Sequence, residues 1–110
     1  MNNPETLRNT KDYKVVKEYF ETDSEGTINC LKERLIAHGE LINIYQGELE
    51  KIKEGKAKKD ILRGGIKETL RSGKMITKWI NTLRKDFPEY DFSIYPELMD
   101  VVRRMENINP

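Results

Sequence analysis

The chain has 110 residues and a mass of 13.0 kDa, the size of one small domain. Lys and Arg number 20 and Asp and Glu number 19, so the net charge of +1 favours no class of partner. A single cysteine, Cys30, excludes an intrachain disulfide framework and a multi-cysteine zinc site. The apolar runs are too short for a transmembrane helix.

The first residues, Met1 to Glu5, contain neither the cationic nor the apolar part of a signal peptide, so we expect a soluble cytoplasmic protein. Lysine, isoleucine and asparagine are abundant, whereas alanine is rare. This bias follows A- and T-rich codons and indicates an AT-rich genome, that of a bacterium, a plasmid or a phage.

The N-terminal part of the chain contains one predicted helix. Residues 1–9 are polar and are expected to be flexible. Over residues 11–22, the apolar side chains Tyr13, Val16 and Phe20 recur at helical spacing, which predicts a short amphipathic helix. The polar stretch that follows is typical of a turn, and several of its side chains can cap the next helix.

A heptad pattern begins at Ile28. Its members follow at alternating spacings of three and four residues: Ile28, Leu31, Leu35, His38, Ile42, Tyr45, Leu49 and Ile52. A strand cannot produce this pattern, which therefore predicts a helix over residues 28–54, about 40 Å long. Gly55 is expected to end this first long helix.

A second heptad pattern predicts another long helix over residues 58–87. Its members are Leu62, Ile66, Thr69, Gly73, Ile76, Ile80, Leu83 and Phe87. Because the connection is short, the two long helices are expected to be antiparallel neighbours. Gly64, Gly65 and Gly73 weaken this helix by about 1 kcal/mol each relative to alanine. They indicate either a break in the helix or a close approach of a partner, and the sequence leaves both open.

An aromatic loop after Pro88 leads to a last short helix over residues 96–106, in which Pro96 suits the first helical position. The fold class is therefore all-α, with the whole chain forming one domain. The expected architecture is a long antiparallel hairpin with two short helices packed against it: helices 28–54 and 58–87, then 11–22 and 96–106. A hairpin this elongated buries little apolar surface by itself, so the short helices or a second subunit must cover its remaining apolar face. A homodimer is therefore one expectation.

Charge is strongly segregated along the chain. Residues 1–50 have a net charge of −4, residues 51–85 contain 12 basic and 3 acidic side chains, and residues 86–110 again have a net charge of −4. On a helical wheel at about 100° per residue, six cations form one continuous row along the side of the second long helix. We call this row the basic stripe: Arg63, Lys67, Arg71, Lys74, Lys78 and Lys85. Asp60, three residues before Arg63, is the only acidic residue on the same side of the helix.

The basic stripe has three interpretations. It matches a row of nucleic-acid phosphates, since each cation can neutralise one phosphate and release a counterion. It can instead dock on an acidic protein surface. As a third possibility it is a solvated face, either paired with the glutamates of the preceding helix or covered by the acidic tail after Phe87. Those glutamates are Glu33, Glu40, Glu48, Glu50 and Glu54.

His38 and Cys30 are two single residues whose side chains could carry chemistry. His38 has no carboxylate or cysteine at the third or fourth following position, so we interpret it as a hydrogen-bonded histidine of the core or of a dimer interface. Protonation of His38 in an apolar seam would make association depend on pH. Cys30 has no histidine near it in the sequence and is interpreted as a small buried side chain rather than a nucleophile.

The aromatic residues provide candidate interfaces. Trp79 lies on the flank of its helix opposite the basic stripe and is expected to pack under a short helix, with an interface role as the alternative. Tyr90, Phe92 and Tyr95 belong to the loop before the last helix. Acidic neighbours disfavour base stacking there, so we expect packing over the open end of the hairpin, or else a surface that recognises another protein.

Motifs for catalysis, metal binding and cofactor binding are missing from the sequence. Gly73-Lys74, for example, is followed by Met75 rather than by the Ser or Thr of a phosphate loop. We expect no enzyme, no metal and no cofactor. The favoured function is a small regulatory protein that contacts a nucleic-acid backbone without reading bases. The alternative is a protein-interaction module, such as a phage- or plasmid-encoded inhibitor that docks on a host protein.

Overall fold

The computed structural model describes residues 4–109. The helices in chain order are α1 (Pro4–Arg8), α2 (Lys11–Thr22), α3 (Ser24–Lys51), α4 (Lys56–Asp86) and α5 (Pro96–Glu106), with a 3-10 turn at Phe92–Ile94 between the last two. The described residues are 85% helical and include no strand. The predicted all-α fold, a long hairpin with short helices packed on it, is confirmed.

The long helices begin and end a few residues from their predicted bounds, whereas α2 and α5 have the bounds expected. α3 begins at Ser24 because the Asp23 carboxylate accepts a hydrogen bond from the backbone N–H of Gly26 at 3.0 Å and so caps the helix. Gly55 does not end α3, which finishes at Lys51. Gly55 instead precedes α4 with a φ of +108°, in the left-handed region that glycine enters without strain.

The hairpin of α3 and α4 is well buried in only one half. In that half, Ile28 and Leu35 of α3 and Ile76, Ile80 and Leu83 of α4 are at most 2% exposed. The core is completed by α2, through Tyr13 and Phe20, and by α5, through Leu98, Val102 and Met105. In contrast, none of the residues from 43 to 69 is buried. The hairpin therefore ends in a two-helix arm, residues 43–69.

Gly64 and Gly65 do not break α4, which is continuous over Lys56–Asp86. Close approach is the correct interpretation at two of the three glycines. A Cβ atom on Gly73 would lie 2.7 Å from Sδ of Met105, and one on Gly65 would lie 3.0 Å from the Tyr45 ring. Both neighbours belong to this chain, so these glycines let α5 and α3 pack closely on α4.

The segment 1–9 contains a helix that the sequence did not predict. α1 has only five residues, too few to form a stable helix alone. It is held by contacts with distant residues, since Leu7 is buried in the core and the Arg8 Nε atom lies 2.7 Å from Oδ1 of Asp86. Residues 1–3 of the segment lie outside the described residues.

Candidate functional site

The basic stripe lies on an exposed side of α4. Five of its members are exposed and Lys74 is half-buried. Because α4 continues through Gly64 and Gly65, the row runs unbroken from Arg63 to Lys85. At about 1.5 Å per residue this is a length of about 33 Å, close to one turn of a B-form duplex.

Two of the six cations have acidic partners. The Arg63 Nη1 atom lies 3.7 Å from Oδ1 of Asp60, and the Arg71 Nη2 atom lies 2.9 Å from Oε2 of Glu68. The hydrogen bond from Arg71 and its charge lower the pKa of Glu68. Both pairs are exposed and lie within α4, so they hold little free energy and compete weakly with an added polyanion.

The other four members of the stripe form no ion pair with any described residue: Lys67, Lys74, Lys78 and Lys85. The glutamates expected as alternative partners do not reach the stripe. Glu48 pairs with Lys51 at 3.6 Å, within its own helix, and no ion pair among the described residues joins α3 to α4.

The acidic residues after Phe87 also leave most of the stripe uncovered. Asp100 binds Arg103 and Arg104 of its own helix, at 3.0 and 2.8 Å. Glu106 accepts a hydrogen bond from Nδ2 of Asn81 at 3.0 Å. The stripe therefore remains a surface of net positive charge on which ligand contacts are possible.

Trp79 lies on another flank of α4 and is one of the residues that line an open groove between α2 and α3. The groove has a volume of about 520 Å³ and is lined by Val15, Val16 and Tyr19 of α2 and by Cys30 and Leu31 of α3, among others. Trp79 is half-buried, and its indole Nε1 is buried without a hydrogen-bond partner among the described residues. Cys30 was predicted to be buried and is exposed, because it lies outside the heptad positions of α3 and on the groove side.

His38 links the two long helices beside the core. Its Nδ1 atom lies 2.6 Å from the Arg34 carbonyl oxygen and its Nε2 atom lies 3.0 Å from Oγ of Ser72. Since a carbonyl can only accept, Nδ1 of the neutral ring donates to it and Nε2 accepts from the Ser72 hydroxyl. The side chain is half-buried rather than fully inside the seam. Within residues 4–109, no three His, Cys, Asp or Glu side chains cluster as a metal site.

The loop aromatics surround Phe20 at the open end of the hairpin. The centroid of the Phe20 ring lies 5.1 Å from that of Tyr90, in an edge-to-face arrangement. It lies 5.8 Å from the centroid of Phe92, and those two rings are stacked. The hydroxyls of Tyr90 and Tyr95 are 2.8 Å apart, and this hydrogen bond, with burial, raises the pKa of Tyr90 to about 12. Phe92 is only 6% exposed, so little of its ring is available to a partner.

Two features escaped the sequence analysis. One is a polar cluster in which Asp86 binds both Arg8 and the Tyr13 hydroxyl. The other is the groove itself, whose walls Val15 and Tyr19 are 41% and 66% exposed. Of the two, only the groove is indicated by the sequence, because Val15 and Tyr19 are apolar residues of α2 next to those that face the core.

Comparison with known proteins adds no functional information. No family model matches the sequence, and no similar curated protein or solved structure was found. Along residues 4–109, none of the helices combines the length and apolar character that crossing a bilayer requires.

Proposed function

We propose that this protein is a non-enzymatic, regulatory nucleic-acid-binding protein of the cytoplasm that contacts the phosphate backbone through the basic stripe. The observation that carries the proposal is the row of six cations on one continuous helix, of which four have no ion pair with a described residue. Long cationic side chains on one face can each neutralise a phosphate, which releases counterions into solution.

Such contacts position a nucleic acid without specifying its sequence. The aromatic loop does not supply the missing base contacts, because Phe92 is buried and Tyr90 is engaged with Tyr95. Binding through the stripe is therefore expected to depend strongly on salt and weakly on sequence. If all six cations engage, log K falls with log salt at a slope of about −5.

The test is a titration of labelled duplex and single-stranded DNA and RNA at several salt concentrations. The variant Lys67→Gln/Lys78→Gln/Lys85→Gln removes three exposed cations that make no ion pair with a described residue, so the slope is expected to become shallower, at about −3 for a duplex. A change of this size identifies the stripe as the contact surface, and the preferred nucleic acid emerges from the same titrations.

The matched control is Lys11→Gln/Lys14→Gln/Lys53→Gln, which removes three exposed cations elsewhere and produces the same net charge. The control is expected to retain the wild-type slope. An equal loss in both variants would assign binding to net charge alone and contradict the proposal. Absence of binding to every nucleic acid at the lowest salt would also contradict it.

A second candidate function, a protein-interaction module, is favoured by apolar side chains that are exposed on the arm and immediately next to it. Leu41, Ile44 and Ile61 are 38%, 59% and 74% exposed. Leu41 and Glu68 line one shallow groove across the hairpin. Ile44 is three residues after Leu41 on α3, so these two side chains lie on the same face of that helix. Ile61 is seven residues before Glu68 on α4 and likewise shares a face with it. Exposed apolar residues grouped in this way favour a partner.

That partner is either a second copy of the chain or a host protein that a phage- or plasmid-encoded inhibitor would bind. Sedimentation over a range of concentrations tests the homodimer, and Ile44→Gln/Ile61→Gln is expected to abolish any dimer that forms through the arm. If the protein is a monomer at every concentration, the homodimer is excluded, and the protein-interaction function would require a different protein as the partner.

A further inference from the structure

We infer that the basic stripe binds single-stranded nucleic acid in preference to a duplex. The inference rests on the proposed nucleic-acid binding and names the class of ligand that the stripe takes. It follows from three features of α4: the row of cations is straight, it occupies one flank of the helix, and the opposite flank is buried in the core.

The stripe is a straight row because α4 is one continuous helix over Lys56–Asp86. At about 1.5 Å per residue, consecutive members of the stripe are about 4.5 to 10.5 Å apart along the axis, and Arg63 and Lys85 are about 33 Å apart. A flexible single strand can lie along such a row from end to end. All six cations can then contact phosphates of the same strand at once.

A strand of a duplex cannot follow a straight row over this distance. It winds once around the duplex axis in about 34 Å, so a strand that meets the stripe at Arg63 has curved away from α4 before it reaches the level of Lys85. The stripe therefore contacts only part of each turn. A slope of about −5 would require a duplex to reach all six cations at once, and the winding of its strands keeps a duplex below that limit.

Insertion of α4 into the major groove would not restore the missing contacts. The groove is about 12 Å wide and a helix with its side chains about 10–12 Å, so the two strands face opposite flanks of an inserted helix. At about 100° per residue, the stripe covers only about 80° of the helix circumference. The opposite flank carries Ile76 and Leu83, which are 1% and 0% exposed. The stripe therefore offers its cations to one strand only.

The number of released counterions decides between the two ligands. Each neutralised phosphate contributes about 0.7 to the salt slope for a single strand and about 0.9 for a duplex. Six contacts with a single strand therefore give a slope of about −4, which is steeper than the slope of about −3.6 from four contacts with a duplex. A single strand is favoured wherever the duplex reaches four cations or fewer.

The test compares a labelled 20-nucleotide oligothymidylate, which does not pair with itself, with a 20-base-pair duplex of mixed sequence. Fluorescence anisotropy over a salt series measures both affinities. We expect a slope of about −4 for the oligothymidylate, a shallower slope for the duplex, and an affinity about five-fold higher for the single strand at about 50 mM salt. Among shorter oligothymidylates, affinity should rise until the strand spans the row, at about six to ten nucleotides.

Variants near the two ends of the stripe test whether one strand contacts its whole length. Lys67 and Lys85 are exposed and about 27 Å apart along α4. Lys67→Gln and Lys85→Gln should each make the single-strand slope shallower by about 0.7, and the double variant by about 1.4. Lys14→Gln, which removes an exposed cation of α2, is the matched control and should retain the wild-type slope.

The outcomes separate this inference from the proposed function. Equal affinity for the two ligands, or tighter binding of the duplex, would overturn the preference for a single strand while nucleic-acid binding stands. A single-strand slope that Lys85→Gln leaves unchanged would also overturn it, because the strand would not then span the row. Absence of binding to both ligands would contradict the proposed function and this inference together.

Discussion

The Asp86 carboxylate accepts a hydrogen bond from the Tyr13 hydroxyl at 2.7 Å, and this contact joins the end of α4 to the start of α2. Its other oxygen accepts from Nε of Arg8, also at 2.7 Å. The Asp86 side chain is only 12% exposed, so the two donors replace most of the water that would otherwise solvate its charge. One carboxylate therefore holds three helices together.

Removal of the Tyr13 hydroxyl should destabilise the fold. Tyr13→Phe keeps the buried ring and loses a hydrogen bond to a charged group, a change worth about 1.5–3 kcal/mol in free energy of unfolding. Urea denaturation measures the effect. Tyr19→Phe is the control, since this side chain is 66% exposed and forms no such bond. Similar losses in the two variants would show that the contact with Asp86 contributes nothing.

Stability should decline at alkaline pH because two tyrosines resist ionisation in the folded state. Burial, with the bond to Asp86, raises the pKa of Tyr13, and the bond to Tyr95 raises that of Tyr90 to about 12. An unfolded tyrosine ionises near pH 10. Above that pH the unfolded state releases protons that the folded state retains, so the stabilisation is complete below about pH 10 and is lost as pH rises towards about 12.

The measurement is the urea midpoint at a series of pH values from neutral to alkaline. Tyr90→Phe should show a smaller decline above pH 10 than the wild type, because the unfolded variant has one proton fewer to release. Tyr19→Phe, in which the altered side chain is 66% exposed and takes no part in either hydrogen bond, should follow the wild-type curve. Identical curves for all three proteins would contradict the assignment.

The sequence was sufficient to predict the hairpin because the information that specifies it is local. Two heptad patterns and a short connection leave few arrangements for α3 and α4, and the seam residues Ile28 and Leu83 are buried as their spacing requires. The bounds of α3 were less predictable, since Asp23, Ser24 and Thr27 are all acceptable caps. Only the structure, in which the Asp23 carboxylate accepts from the Gly26 N–H, shows that Asp23 is the one used.

The features that were missed depend on long-range contacts. α1 is stabilised by a pairing of Arg8 with Asp86, 78 residues away, and no periodic pattern indicates that contact. The exposure of the basic stripe could be predicted from the sequence, because the helical period that places the seam residues in the core places the stripe on another side of α4. The groove at Trp79 could not be predicted in this way, because it depends on where α2 lies across the hairpin.

The glycines of the long helices should respond to substitution according to their surroundings. A Cβ atom at Gly47 or Gly64 would meet nothing within 4 Å, so Gly→Ala there should increase the free energy of unfolding by about 1 kcal/mol. At Gly73 the same atom would lie 2.7 Å from Sδ of Met105, a side chain that is 2% exposed. Met105 must then shift, which cancels the gain for alanine. Gly73→Val, which is larger, should destabilise by about 1–3 kcal/mol.

The measurement is again chemical denaturation, and the contrast between Gly64→Ala and Gly73→Ala is the informative quantity. Because both positions lie inside α4, their intrinsic helix preferences are alike and the difference reports the contact with α5. An equal stabilisation at both positions would show that Met105 yields without cost.

Hydrogen exchange should divide the hairpin into two parts. Exchange of a helical amide requires local opening, and opening costs less where few apolar side chains are buried. The buried half contains Ile42 and Leu70 as its last well-buried residues, whereas the arm, residues 43–69, contains none. We therefore expect amides of the arm to exchange faster than those near Leu35 and Ile80, by about ten-fold for each 1.4 kcal/mol of difference in opening free energy.

The same experiment bears on the second candidate function. If the arm pairs with another copy of the chain, its amides should become protected as protein concentration rises, and Ile44→Gln/Ile61→Gln should remove that protection. The amides near Leu35, away from the exposed isoleucines, serve as the internal control. Slow exchange of the arm in the dilute monomer would contradict the expected division, because it would require stabilisation that the half-buried seam does not supply.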